Sequence, residues 1–279
     1  MLIKNIYFKI LSKGLDLNIL DIDSKILVVA CGPNDSETLN NFGFSDLLIT
    51  NLAPHGNHLD YTPYQWEKAD LNQLKFKNDS FDFVIVSEAL HHMYSPHRGL
   101  GEMQRVARKG IVVMESSNSL ISKIARKLGF VPDYEIDAIL RTGTGGVENS
   151  HIPNFIYRWT ESEVKKTINS FLPHVSNKIY FIYNYRFPLE RFKRSKKRFI
   201  RLLFPLLSLA LKLYKIIFPK QANEFGFIVS KGKNLKPWLE GGLEDPKLNL
   251  EYIREKYVTQ LKFNIIFLLL GHYCPHKSF

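Results

Sequence analysis

Ile26-Leu27-Val28-Val29-Ala30 is an unbroken apolar run that ends abruptly at Cys31-Gly32-Pro33-Asn34-Asp35. A strand with no polar alternation has to be covered on both faces, and the breaker cluster at its end turns the chain into a helix. The same grammar recurs downstream. Leu47–Asn51, a stretch near 64–70, Phe81–Ser87 and residues 110–115 read as strands, with helices expected over 36–42 and 99–107. Strands alternating with helices at this spacing predict a doubly wound α/β fold, a mainly parallel sheet with helices on both faces. Beyond it, the pattern predicts a helix over 119–128 and an irregular stretch over 129–154. A helix over 160–171 follows, opened by a Thr160/Glu163 capping box. Residues 178–185 and Glu224–Ser230 form an expected antiparallel pair. A further helix is expected over 3–11.

Composition narrows the class. In 279 residues, 13% aromatics supply enough burial to exclude a disordered chain. Two distant cysteines, Cys31 and Cys274, exclude a disulfide scaffold and a four-thiolate zinc site. No charge-free apolar run is long enough to span a bilayer, and the first residues lack a secretory core, so a cytoplasmic location is expected. The net charge of +11 is local: residues 1–185 carry 19 basic against 20 acidic side chains, whereas residues 186–279 carry 19 against 7. The densest part is Arg191, Lys193, Arg194, Lys196, Lys197, Arg198 and Arg201. It precedes an apolar helix over 202–218 in which Pro205 suits the first turn and Ser208, Lys212 and Lys215 share a face. A cationic patch beside an amphipathic helix fits a segment lying on an anionic membrane surface, peripheral to the inner membrane. Packing of that helix on the protein's own core is the competing reading. Nucleic acid is disfavoured, because Leu and Ile dominate where stacking aromatics would be needed. Nothing in the sequence fixes an oligomeric state.

The turn after the first strand carries the site. Gly32 offers permissive backbone there, Asn51 follows nineteen residues later at the end of the second strand, and Asp70 another nineteen beyond. These are positions from which α/β folds reach a ribose and an adenine amine. An NAD site would want three glycines in that turn, and only one is present. Six histidines (His55, His58, His91, His92, His97, His151) show no metal-ligand spacing, and no metal is expected. Tyr157-Arg158-Trp159 could stack on a sugar or bind an anionic group; the alternative is that the rings pack and Arg158 is solvated.

On ILVVACGPNDSE (26–37), LLITNLAP (47–54), ADLNQLKFKNDSFDFVIVSEALHHM (69–93) and GLGEMQRVARKGIVVMESSN (99–118), the chain resembles the class I S-adenosylmethionine-dependent methyltransferases. HIPNFIYRWTESEV (151–164) and NEFGFIVSKG (223–232) are similar to a bacterial, methyltransferase type 11-like subgroup with an insertion between the last two strands. That subgroup is associated with modification of cell-surface sugars or other secondary metabolites. The resemblance implies a Rossmann-like sheet of about seven strands and S-adenosyl-L-methionine as cofactor. Ala30, Gly32, Asn34, Asn51, Asp70, Leu71 and Ser87 would hold the cofactor. It implies O-methylation of a small-molecule or glycan- or lipid-linked acceptor, with His91 or His92 assisting the hydroxyl and Glu88 a candidate to orient them. His151, Tyr157 and Arg158 would face the substrate. The implied organisation is a helical preface over 1–23 and a methyltransferase domain over 24–232. That domain contains a lid or substrate loop at 119–160 and a basic insertion at 186–222, and an extension over 233–279 follows it. The sequence also departs from the family. Val28 stands at its acidic slot, Ala30 and Asn34 at glycine slots, and Asn51 replaces the ribose-binding acid, with Asp35 the candidate to compensate. An amide forgoes charge-assisted hydrogen bonding, so a non-catalytic scaffold acting through its basic insertion is the alternative.

Overall fold

The computed structural model describes residues 6–52, 61–143, 145–187 and 198–261. His55, His58, Cys274 and the basic residues Arg191, Lys193, Arg194, Lys196 and Lys197 lie outside them. The chain divides into two compact units, one of residues 1–171 and 177–231, the other of 172–176 and 232–279.

The first unit is built on seven strands: β1 (Ile26–Val29), β2 (Leu47–Asn51), β3 (Gln65–Lys68), β4 (Phe81–Ser87), β5 (Ala107–Ser116), β6 (Lys178–Asn184) and β7 (Glu224–Ser230). Their order is β3-β2-β1-β4-β5-β7-β6. The first five run parallel, and β7 enters antiparallel between β5 and β6. The expected antiparallel pair is therefore present. β4 is the central strand, and all seven of its residues are apolar except Asp82 and Ser87.

The apparently continuous apolar runs serve two cores, because successive side chains point to opposite faces. Leu27, Val29, Val84, Val86, Ile111, Val113, Phe225 and Phe227 share one buried cluster. α3 (Pro96–Val106) and α6 (Glu161–Phe171) contribute Leu100, Met103, Val164 and Ile168 to it. Ile26, Val28, Ile49, Ile85, Val112, Met114 and Ile228 lie in the other. They share it with Tyr7, Ile10 and Leu11 of α1 (Ile6–Asp16) and Leu39 of α2 (Pro33–Phe42). α1 continues past the expected end at residue 11, to Asp16, with Gly14 buried beside Ile10 and Leu11.

The helix at 160–171 begins as expected: the Thr160 N–H and hydroxyl donate to Glu163 Oε2, and Glu163 N–H donates back to Thr160 Oγ1. The stretch read as irregular contains structure of its own. After α4 (Leu120–Lys127) come α5 (Ile136–Thr142) and a 3-10 turn at Val147–Asn149. In the basic segment, α7 (Arg198–Ile217) starts before the predicted helix, so Pro205 lies inside it rather than in its first turn. Proline cannot donate to the carbonyl of residue 201; because Pro205 is exposed, water can take that carbonyl. The second unit holds a small hairpin, β8 (Leu239–Gly241) with β9 (Pro246–Leu248), and α8 (Leu250–Leu261).

Candidate active site

The carboxyl ends of β1, β2, β4 and β5 and the loops that follow β3 and β5 assemble the site. At β1 the left-handed residue is Ala30, with φ of 52°. Gly32, expected to supply the unusual geometry, is extended at φ −98° and ψ 169°, a conformation open to any residue. What Gly32 contributes is space. An added Cβ there would meet only Asp35 Oδ2, at 3.6 Å, so a ligand can approach the backbone. Asp35 accepts from the Gly32 N–H at 3.0 Å, which closes the turn onto α2. Burial raises the Asp35 carboxyl above its usual range, with the Gly32 N–H opposing. Asp35 thus stabilises the turn, and Val28, at the slot where the family carries an acid, is buried in the core.

Asn51 is tied locally. Its Oδ1 accepts from the Leu52 N–H at 2.8 Å and its Nδ2 donates to the Cys31 carbonyl at 3.4 Å, where the Tyr61 hydroxyl also donates at 3.0 Å. The residue that could meet a ribose therefore also ties β2 to the β1 turn. Asp70 Oδ1 accepts from the N–H and the Nδ2 of Asn72. Asn72 Nδ2 in turn donates to Glu148 Oε1 at 2.6 Å, which brings the Val147–Asn149 turn over the end of β3. Leu71 is a core side chain, so only its backbone could meet a ligand, and Ser87 ends β4 half-buried. Asn34 lies exposed on the first turn of α2.

After β4, Glu88 takes a left-handed φ of 48° and the chain enters a 3-10 turn, Leu90–His92. The carboxylate that fixes this turn is Glu115 of β5, not Glu88. Glu115 Oε1 accepts from the Ala89 and Leu90 N–H groups at 3.0 and 2.7 Å, and Oε2 faces His91 Nδ1 at 2.8 Å. His91 Nε2 and His92 Nε2 then face the two oxygens of Glu135, at 3.6 and 3.4 Å. Burial pushes His91 down, but the charges and hydrogen bonds of Glu115 and Glu135 outweigh it and raise its pKa to about 10. For His92, burial and the neighbouring His91 charge prevail over Glu135 and Glu115, and its pKa falls below the ordinary value. Glu135, hydrogen-bonded to His91, is held ionised despite burial. Two adjacent histidines so acquire opposite states near neutrality, one an imidazolium and the other a neutral imidazole.

His91, His92 and Glu135 also form a group of three metal-ligand side chains, absent from the sequence reading because Glu135 is remote in the chain. Their ligand atoms spread up to 4.8 Å apart. Zinc bonds of about 2.1 Å in a tetrahedron need ligand separations of roughly 3.4 Å. The His91 charge already balances one carboxylate, so the geometry suits a proton network better than a tetrahedral cation.

The remaining expected substrate residues separate. His151 is exposed and takes no part in this cluster. Tyr157 packs on His97 and Trp159, and its hydroxyl donates to Glu163 at 3.1 Å. Burial and Glu163 push that hydroxyl up to about 12. Arg158, expected to meet an anionic acceptor group or else to be solvated, is not solvated. It is buried, donates to the carbonyls of Pro132 and Ile156 at 2.7 and 3.3 Å, and pairs with Asp133 at 3.6 Å, holding down the segment after α4. A separate cleft of about 540 Å³ opens at the amino-terminal ends of the strands, lined among others by Lys25, Asp46, Gln65 and Phe81. Ligands of doubly wound sheets bind at the other edge.

Residues 44–114 match the family model of the methyltransferase domain. That segment runs from the start of β2 through the histidine turn to the buried part of β5, within a seven-stranded sheet whose β7 is antiparallel. The match and the fold support the class I S-adenosylmethionine-dependent methyltransferase resemblance read from the sequence. No curated protein matches in sequence. Among solved structures, the chain is similar to an S-adenosylmethionine-dependent methyltransferase of Mesorhizobium loti, at 16% identity, 77% of this chain, 94% of that one and a TM-score of 0.46. A Thermotoga maritima S-adenosylmethionine-dependent methyltransferase is similar at 12%, over 82% and 93%, with a TM-score of 0.45. Phosphoethanolamine N-methyltransferase 2 of Haemonchus contortus, solved with S-adenosylhomocysteine, is similar at 10%, over 82% and 52%, with a TM-score of 0.47. These likenesses concern the fold alone.

The family-model match supports S-adenosyl-L-methionine as the cofactor. The open approach at Gly32 and the Asp70 carboxylate at the end of β3 fit that group, while the local bonds of Asn51 weaken the fit at the ribose. Glu115, Glu135 and Glu148 are the site residues that sequence reasoning missed. Glu115 had a signal, a carboxylate ending an otherwise apolar strand; Glu135 and Glu148 had none.

Proposed function

We propose that the protein transfers a methyl group to a hydroxyl oxygen of a small-molecule or glycan- or lipid-linked acceptor, with His92 as the base. The observation that carries this reading is the split state of the histidine pair. His92 is neutral at pH 7, half-exposed, and 3.4 Å from an ionised Glu135, whereas His91 is locked by Glu115 and has no basic capacity left. A hydroxyl needs a base at the moment of attack; an amine acceptor would arrive as its own nucleophile once neutral. Gly32, Asn51, Asp70 and Ser87 would hold S-adenosylmethionine, which when bound supplies an activated sulfonium methyl and departs as a neutral thioether.

The residues of the chain then align the acceptor and manage one proton. His92 takes the hydroxyl proton on the ring nitrogen that does not face Glu135 as the oxygen–carbon bond forms, and Glu135, facing Nε2–H, stabilises the resulting imidazolium. His91 is a positioning residue: its charge keeps Glu135 ionised and in place. His92→Gln should lower turnover about a hundredfold while S-adenosylhomocysteine affinity stays unchanged. The wild-type rate should fall in acid through a pKa below the usual histidine value, and that limb should vanish in the variant. Full turnover in His92→Gln on the true acceptor would remove the base from the mechanism.

The scaffold reading retains one supporting observation, the occupation of Asn51 by local hydrogen bonds. Calorimetric titration with S-adenosylhomocysteine separates the two, since a scaffold would show no binding.

A further inference from the structure

Helix α7 is apolar on two faces, and only one of them has protein beside it. Phe204, Leu207, Leu211 and Tyr214 are half-buried, and the Tyr214 ring lies against Tyr185 and Phe218. The opposite face is Leu202, Leu206, Leu209, Leu213 and Ile216, exposed by 72, 66, 54, 50 and 75%. Their spacing alternates four and three, so they form one stripe about 21 Å long. Burying such a stripe is favourable, and among the described residues nothing in this chain covers it.

A second exposed apolar surface is on α4. α4 exposes Leu120, Ile124 and Leu128, again four apart, with Lys123 and Lys127 exposed beside them. The start of α4 is tied to the end of α7: the Leu120 N–H donates to Gln221 Oε1 at 2.7 Å, and the Tyr214 hydroxyl takes a hydrogen bond from the Ile121 backbone. α4 directly follows β5, so these leucines lie on the same edge of the sheet as the histidine turn.

Charge decides between occupants. From residue 191 to residue 223 the sequence holds no Asp or Glu, and Lys212, Lys215 and Lys220 stand exposed along and beyond the helix. A second copy packed on this stripe would bring two all-cationic segments together, which is unfavourable. An anionic bilayer presents apolar depth and negative headgroups at once. No helix among the described residues is long and apolar enough to cross a membrane, so the geometry is that of a helix lying in the interface.

We propose that the outer face of α7, with the exposed leucines of α4, docks the protein on an anionic lipid bilayer and presents the carboxyl edge of the sheet to it. The docking stands whether or not the acceptor is itself a lipid. It is tested by co-sedimentation of the full chain with vesicles of phosphatidylcholine alone and of phosphatidylcholine with roughly one-third phosphatidylglycerol. The expected result is binding to the anionic vesicles only. Binding should weaken severalfold, without vanishing, as salt shortens the screening length from about 10 to about 3 Å. Leu206→Glu with Leu213→Glu should reduce binding at least roughly tenfold. Both residues are exposed, so the circular dichroism spectrum and S-adenosylhomocysteine affinity should be unchanged. Equal vesicle binding by wild type and variant would overturn the proposal. So would a wild type that ignores anionic vesicles. A wild-type dimer that the double variant dissociates, with no vesicle binding, would instead assign the stripe to a second copy.

Discussion

His91 and His92 are adjacent in sequence and opposite in charge, a difference made entirely by neighbours. Two carboxylates enclose His91; His92 has a share in one of them, and the charge on His91 acts against its protonation. Stability should register this. The folded pKa of His91 lies near 10, above the ordinary 6.5, so its contribution is complete below about pH 6.5 and is lost as pH rises through about 10. Urea midpoints measured between pH 6.5 and 10 should decline in the wild type, and the decline should be shallower in His91→Gln. Parallel profiles would mean that His91 carries no extra charge in the fold. The sequence located the histidine turn but left the roles of the pair open, because Glu135 reaches them from a segment with no periodic pattern. It also placed the conformational freedom at the wrong residue. Ala30, not Gly32, adopts φ of 52°, at a position where an L-residue pays about 1–2 kcal/mol. No pattern of residue types distinguishes these two positions.

At the scale of elements, strand positions were legible and helix ends less so. Every strand of the large sheet lies within a few residues of its sequence expectation; burial on both faces gives β1, β4 and β7 a nearly continuous apolar signature, whereas the edge strands β3 and β6 stay largely exposed or half-buried. β5 is longer at its start, over Ala107–Ser116, because Ala107 pairs with Phe81 across an irregularity that apolar content does not mark. Gly110 shows why this strand tolerates no side chain at one point. A Cβ there would stand 2.0 Å from the Val229 carbonyl of β7. Gly110→Ala should therefore destabilise the fold by about 3 kcal/mol, as overpacking against backbone does, read as a lowered urea midpoint with unchanged slope. A midpoint within about 0.5 kcal/mol of wild type would show that β5 and β7 can separate without cost. The α5 helix and the Val147–Asn149 turn escaped prediction because they are short and flanked by Gly, Thr and Asn. Tertiary bonds fix the turn, through Glu148 to Asn72, and the segment leading into α5, through Arg158 to Pro132.

Across the whole molecule, the cofactor edge and the apolar outer helix are the features that function would use. If the edge binds as assigned, S-adenosylhomocysteine should raise the melting temperature and NAD should leave it unchanged, because a ligand that binds only the folded state stabilises it. Asp70→Ala should weaken S-adenosylhomocysteine binding by about 1.5–3 kcal/mol, the range for a hydrogen bond to a charged group. An unaltered affinity in that folded variant would move the adenine elsewhere. The sequence by itself determined the doubly wound sheet and its antiparallel last pair, and it carried the motifs of the family resemblance. Each of these is written in local periodicity, composition or contiguous motif. Only the tertiary structure decided which histidine is neutral, that Arg158 fastens the segment after α4, that Asn51 and Asp35 are bound into their own turns, and which face of α7 is left bare. Those outcomes depend on groups distant in the chain meeting across a few ångströms, where burial and neighbouring charge set their chemistry.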